Sequence, residues 1–329
     1  MFILVLIASR HQSKGCAMRP TLRQLQYFVA VAEHGSFGIA AQRLAISQPS
    51  LSKLLAGMED ELGVMLFERT SRRVALTAMG EALLPRARSI LLSVNDFRSL
   101  ARSVANPLDN KLSIGVLPSI GAYYMPLANK HLHKRYPKLR LVVHEGTTTE
   151  LLQQLRDGQL DAVIGATIES EDVTSRFLFA ETLWICAAED DPLSQSREPV
   201  TLNELQGRPL LSLSPSYSLT RTVEHLAALA GATVSQDYKG SSLDAVRQMA
   251  VIGAGVAILP SLYALAEAIR QPDFVVRRLD HPEAFHRIAL HWRSSSPMAD
   301  AFETLAQHLV AVKEQIRAAR ADPAGRRAS

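Results

Sequence analysis

The sequence predicts an α/β protein with an all-α winged helix-turn-helix head. Three observations predict it. Between residues 36 and 63 two short helices meet at a tight turn, each opened by a serine suited to capping. From Leu83 onward, apolar residues recur at alternating spacings of four and three for about three heptads. From residue 111, short apolar runs alternate with amphipathic stretches, the pattern of strands flanked by helices.

The composition allows this architecture. A chain of 329 residues with 47% hydrophobic and 21% charged residues can bury several cores and is that of an ordinary globular protein. A net charge of +4 and a pI near 9.1 favour a polyanionic partner. Two cysteines, Cys16 and Cys186, exclude a disulfide-built scaffold and suit a reducing cytoplasm. The opening apolar run is too short to span a bilayer and lacks the basic start and cleavage site of a signal peptide. Residues 1–18 are therefore read as an extension, with Met18 the natural start.

Residues 19–76 form the expected head. In "LRQLQYFVAVAEHG", Leu22, Leu25, Phe28, Val29 and Ala32 share one helical stripe, and Gly35 stops the helix. Ser36 caps "FGIAAQRLA", and Ser47 caps "QPSLSKLLAGMEDELG", where Pro49 sits harmlessly in the first turn. Leu51, Leu54, Leu55, Met58 and Leu62 give that helix its buried face. Gln48, Pro49, Ser52 and Lys53 are left on the opposite face. Glutamine can pair with adenine, and lysine with phosphate or guanine, when such a helix enters the major groove. "LFERTSRRVALT" reads as a two-stranded wing whose Arg69, Arg72 and Arg73 suit phosphate or minor-groove contact. With Ser36, Ser47 and Ser50 these residues make up the candidate DNA surface.

Residues 77–110 are expected to be a long helix and a hinge. Leu83, Ala87, Ile90, Val94, Phe97 and Ala101 form the seam, which signals a dimer. Pro85 is expected to kink the helix near its start, and "NPLDN" ends it.

Residues 111–312 are expected to form two α/β lobes built on parallel sheets, one from about 111–182 plus 284–312 and the other from about 183–283. "KLSIGVLP", "LRLVVHE", "LDAVIGA", "LWICAAE", "PLLSLS", "GVAILP", "FVVRRL" and "HRIALHW" read as buried strands. Ligands of such domains bind beyond the carboxyl ends of the strands. Those ends carry "PSIGAY", "EGTTTE", "SPSYSL" and "GSSLDA", each leading into a helix. Ser119, Ile120, Thr147, Thr148, Thr149, Ser216, Tyr217, Ser218 and Ser242 are the candidate ligand contacts. Free N–H groups and hydroxyls converging there favour a small polar or anionic ligand. Residues 313–329 read as a basic flexible tail.

Catalysis is not expected. The sequence has no nucleophile elbow, phosphate-binding loop or paired-cysteine motif, and its GxG at Gly253 and Gly255 reads as a turn. His131 and His133 are two apart on a helix and point away from one another, so no metal or other cofactor is expected. A solute-binding transport module would have a signal peptide and no DNA-binding head, the reverse of this chain.

The chain resembles the LysR-type transcriptional regulators. The resemblance rests on Ser36-Phe37, Ala40-Ala41, Leu44, Ser47-Gln48-Pro49, Ser52, Leu62-Gly63, Leu66-Phe67-Glu68-Arg69, Leu76-Thr77 and Gly80, and it continues through the chain after residue 19. It implies a winged helix-turn-helix, a linker-helix dimer or tetramer, and an effector domain of periplasmic-binding-protein type. It also implies promoter DNA, a small-molecule effector and RNA polymerase as partners, in the cytoplasm. Ser119 and Thr148 match positions that line the family's primary pocket. Within the family, "ELGVMLFERTSRRVALT", "LSIGVLPSIGAYYMP" and "GAGVAILP" are most similar to the peroxide-sensing OxyR branch. In that branch a reactive cysteine stands at the position of Ser218 and its disulfide partner near Ala227. A hydroxyl cannot follow a thiol through oxidation, so that disulfide switch is excluded here. Cys186, in an apolar strand, reads as a buried, inert residue. The alternative reading is a regulator that responds to oxidative stress by a switch other than a disulfide.

Overall fold

The computed structural model describes residues 20–69, 74–103, 107–109, 111–236, 238, 240–270 and 274–321. The expected extension over 1–18 and residues 322–329 of the expected tail lie outside these residues, whereas 313–321 of that tail continue the last helix, Ala299–Ala321. The chain divides into two compact units between Asn95 and Asp96.

In the first unit, α1 (Leu22–His34), α2 (Phe37–Arg43) and α3 (Gln48–Leu62) precede a hairpin of β1 (Phe67–Arg69) and β2 (Val74–Leu76). The hairpin is the two-stranded wing that the sequence predicts beside the helices. The serine caps form as the sequence predicts: Ser36 Oγ accepts from the Ile39 amide and Ser47 Oγ from the Ser50 amide. The turn between α2 and α3 places Ala45 at φ 53°, a left-handed conformation that disfavours a side chain with a Cβ. Phe28 and Phe37 each pack edge to face on Phe67, with centroids 5.6 Å from it, in a core with Leu51, Leu55, Met58 and Leu66. Leu22 and Leu54, placed on the buried stripes by periodicity, are exposed at the stripe edges. Glu59 takes a core position instead, because its Oε1 accepts from the amides of Leu66 (2.8 Å) and Phe67 (3.2 Å) and so anchors the wing. Gly80 is required because the Leu66 carbonyl occupies the place of a Cβ.

The long helix α4 (Ala78–Ser103) begins in this unit and runs unbroken through Pro85. Ala87 is buried and Leu83 half-buried against the head core, so those seam positions are used within the head. Ile90, Phe97 and Ala101 are exposed, Phe97 by 74%.

The second unit contains β3 (Lys111–Val116), α5 (Pro118–Tyr123), α6 (Met125–Arg135), β4 (Arg140–Glu145), α7 (Thr148–Arg156), β5 (Ala162–Ala166) and β6 (Val173–Ala188). It continues with β7 (Pro209–Leu211), α8 (Ser218–Ala230), β8 (Thr233–Val234), α9 (Leu243–Val251), β9 (Val256–Pro260), α10 (Ser261–Arg270), β10 (Phe274–Arg278), β11 (Phe285–Arg293) and α11 (Ala299–Ala321). One continuous sheet has the order β4-β3-β5-β11-β6-β9-β7-β8, with β10 on the remaining side of β6. The expected parallel sheets are mixed: β11 runs antiparallel to β5 and β6, and β6 antiparallel to β9 and β10. Strand "LRLVVHE" is an exposed edge rather than buried, its far side having no neighbour in the sheet.

Two hydrophobic cores flank the crossing of β6. One gathers Ile114, Ile120, Tyr124, Phe179, Trp292 and Phe302, and the other Ile185, Cys186, Leu210, Val223, Leu226 and Leu259. The N-terminal part of β6 pairs with β11 in the first lobe, and Leu183–Cys186 pair with β9 in the second. The chain returns to the first lobe along 279–285, where Leu183 N donates to Ala284 O and Leu279 N to Leu183 O.

Two predictions arise here. Glu59→Ala should weaken the wing by about 2 kcal/mol, the range for a buried hydrogen bond to a charged acceptor. The check is loss of hydrogen-exchange protection at the Leu66 and Phe67 amides; unchanged protection contradicts it. The buried His291 ring bonds to Ser175 Oγ (2.8 Å) and the Ala166 carbonyl (2.9 Å), and burial lowers its pKa from 6.5. The unfolded chain therefore binds a proton that the folded one refuses. This contribution to stability is present above about pH 6.5 and is lost as pH falls below it. His291→Gln should flatten that acid slope in denaturation measured across pH.

Candidate functional site

On the head, Ser47, Gln48, Pro49, Ser50 and Lys53 stand exposed at the cap and in the N-terminal half of α3, with Ser52 half-buried. Ser47 Oγ also lies 2.8 Å from Ser50 Oγ, so these two hydroxyls and that of Ser36 are engaged in opening helices. Gln48 and Lys53, whose side chains hold no structural bond of that kind, are the groups free to reach a base edge or phosphate. Arg72, Arg73 and the side chain of Arg69 lie outside the described residues.

Within the second unit, a cavity of about 240 Å³ opens between the lobes. Ser119 and Tyr123 of α5, Tyr217 and Ser218 at the start of α8, and Ser242 before α9 all line it. Tyr217 precedes α8 and donates to Ser241 O at 3.0 Å, while the Ser242 hydroxyl makes no capping bond to the α9 it introduces. Two carboxylates, Glu145 and Asp244, complete the wall. Tyr263 donates to Asp244 at 2.6 Å and Tyr123 to Glu267 at 2.8 Å. Burial and these acceptors raise both phenol pKa values, so the two hydroxyls remain protonated donors. The Glu145 carboxylate packs against Gly121, where a Cβ would push it aside.

A clasp closes one side of this chamber. Ser218 N donates to Thr148 Oγ1 at 3.2 Å, and Thr148 Oγ1 donates to Ser218 Oγ at 3.3 Å, joining α7 of one lobe to α8 of the other. Ser218 and His286 line a second, larger cavity as well.

Comparison with known proteins agrees with both parts. The bacterial regulatory helix-turn-helix family of LysR type matches residues 22–81, and the LysR substrate binding domain matches residues 105–314. The chain belongs to the LysR family. It is a DNA-binding transcriptional regulator with an effector-binding domain, not an enzyme. It is 37% identical over 287 residues to the DNA-binding transcriptional dual regulator OxyR of Escherichia coli, covering 87% of this chain and 93% of that protein. It is 37% identical over 286 residues to the hydrogen peroxide-inducible genes activator of Dickeya chrysanthemi, with the same coverage. Its structure resembles that of a full-length OxyR variant from Pseudomonas aeruginosa with a TM-score of 0.66 at 32% identity, covering 89% of this chain and 95% of that one.

Of the residues predicted for the LysR-type effector site, Ser119, Tyr217, Ser218 and Ser242 line the chamber, and Thr148 holds its wall. Four others fall elsewhere. Ile120 is buried in the first-lobe core, and Thr147 is consumed as the cap of α7, bonded with Glu150. Thr149 and Ser216 are exposed and do not line the chamber. Helical and turn geometry turns these neighbours away from the cleft. Sequence reasoning missed Tyr123, Glu145 and Asp244, which lie within the strand-end segments but carry no aliphatic hydroxyl, and Tyr263 and His286, which lie outside them.

Ser218 and Ala227 lie on one helix, nine residues apart, which is a rise of about 13 Å. Even two cysteines there could be bridged only if the helix unwound. Cys186 is fully buried in the second-lobe core.

Thr148→Val retains shape but removes the clasp's donor and acceptor. It should lower effector-unit stability by about 1–2 kcal/mol, with faster exchange of the Ser218 amide, and Thr148→Ser should restore both. Wild-type exchange in the valine variant would show that the clasp does not hold the lobes.

Proposed function

We propose that this LysR-type regulator is switched by a small polar molecule bound between the lobes, without thiol chemistry. The observation that carries the reading is the convergence of Ser119, Tyr217, Ser218 and Ser242 on one chamber. The chamber's charged side chains include Glu145 and Asp244, which favour a neutral or cationic polar ligand over an anion in this chamber. A ligand touching both lobes acts by its differential affinity for two lobe arrangements. Exposed Ile90, Phe97 and Ala101 on α4 support a dimer seam, and a tetramer is the assembly this reading expects. The regulator acts on promoter DNA in the cytoplasm, with RNA polymerase as its further partner.

The relatives named as peroxide-inducible activators favour a second reading, response to oxidative stress by a switch other than a disulfide.

A mobility-shift assay with DNA upstream of the protein's own gene tests the first reading. Binding should weaken steeply with salt. Gln48→Ala should relax sequence preference, costing about 1–3 kcal/mol on the preferred site, whereas Arg72→Ala should weaken all sequences alike. A thermal-shift screen of polyols, amino acids and amines should yield a stabiliser that alters the footprint and is lost in Ser119→Ala. Sequence-indifferent binding at every salt concentration overturns the DNA reading. A footprint altered by hydrogen peroxide but by no member of the screen favours the second.

A further inference from the structure

The larger cavity beside the clasp, about 650 Å³, differs in chemistry from the first chamber. Its wall includes Arg156, Arg221, Arg287, His286 and Ser218, with Glu169 as a carboxylate on the same wall. Arg156 is already neutralised: its Nε donates to Asp172 Oδ2 at 2.7 Å, and the guanidinium together with Ser170 holds the Asp172 pKa down at about 2. Arg221 and Arg287 have no carboxylate partner among the described residues. The Arg287 guanidinium stacks over the Phe177 ring at 4.9 Å, which leaves its N–H edge available. Arg221 sits in the first turn of α8, where the helix dipole disfavours a cation. An anion in the cavity would offset that cost.

A second observation points the same way. His286 is only 4% exposed, lines the cavity, and neither ring nitrogen has a hydrogen-bond partner. Its Nδ1 faces Glu181 Oε2 at 3.7 Å, too far for a hydrogen bond. A buried imidazole without partners is costly unless something supplies an acceptor.

We infer that this cavity is a binding site for a small organic oxyanion, a carboxylate or a phosphate ester, gripped by Arg221 and Arg287 and hydrogen-bonded by His286. At about 650 Å³ the cavity leaves room for an organic body beside the oxyanion. The inference rests on the second unit being a ligand-binding domain, but requires no ligand in the first chamber. Because Ser218 and His286 border both cavities, an anion here would act on the wall that the first ligand also touches.

The test uses the full-length protein with succinate and glycerol phosphate as probes, and glycerol and matched sodium chloride as controls, read by thermal shift and titration calorimetry. At least one probe should stabilise the protein above both controls, with affinity that falls as salt rises. The arm that binds more tightly identifies carboxylate or phosphate. Arg221→Gln and Arg287→Gln should each weaken binding about tenfold or more, the loss of a charge-assisted bond. Both side chains are exposed, so Arg221→Gln should melt like wild type without ligand and Arg287→Gln should lose only its stack on Phe177. Ser119→Ala should leave anion binding intact, which separates this site from the first chamber. Failure of both probes to exceed the controls, or wild-type affinity in both arginine variants, would overturn the inference.

Discussion

The effector unit depends on one strand that belongs to two lobes. Strand β6 pairs with β11 on one side of the crossing and with β9 on the other, so the lobes share a backbone as well as a contact. At the crossing stands Glu181, fully buried, in register with His286. Its Oε1 accepts from the Leu262 amide at 2.8 Å, at the start of α10. A buried carboxylate is expensive, and here one of its oxygens is met by the Leu262 amide, which the helix itself leaves without a partner. The constraint fixes where α10 begins, hence where Tyr263 reaches Asp244, and hence the floor of the first chamber.

The crossing also divides the cleft chemically. On one side Glu145 and Asp244 face a chamber of hydroxyls and phenols, and on the other Arg221 and Arg287 face a larger cavity. Ser218 belongs to both. A thiol at this position would give the lobes a redox lever; a hydroxyl gives them a hydrogen bond to Thr148. Under the proposed control by differential binding to two lobe arrangements, such a contact could be made in one and broken in the other.

Much of the head was legible in the sequence because its signals are local. Ser36, Ser47, Gly35 and Gly63 punctuate the helices through bonds to residues three or four positions away, and the α3 stripe needs only a period of 3.6. The limits were local too. Periodicity placed Leu54 inside, since it cannot tell the centre of a stripe from its edge, and it passed over Glu59, whose burial depends on amides seven and eight residues away.

The sequence by itself determined the element order, the hydroxyls opening α8 and the absence of a thiol at Ser218. Those are properties of residue type and neighbouring spacing. Tertiary structure decided which hydroxyls share a cavity: Ser119 and Ser242 turn into it, Thr147 is spent on its own helix, and Ile120 is core. It also decided that β11 returns antiparallel between β5 and β6, bringing His286 beside Glu181 across 105 residues of chain. No local pattern encodes such a pairing, because its energy comes from closing the sheet over a core assembled from distant segments.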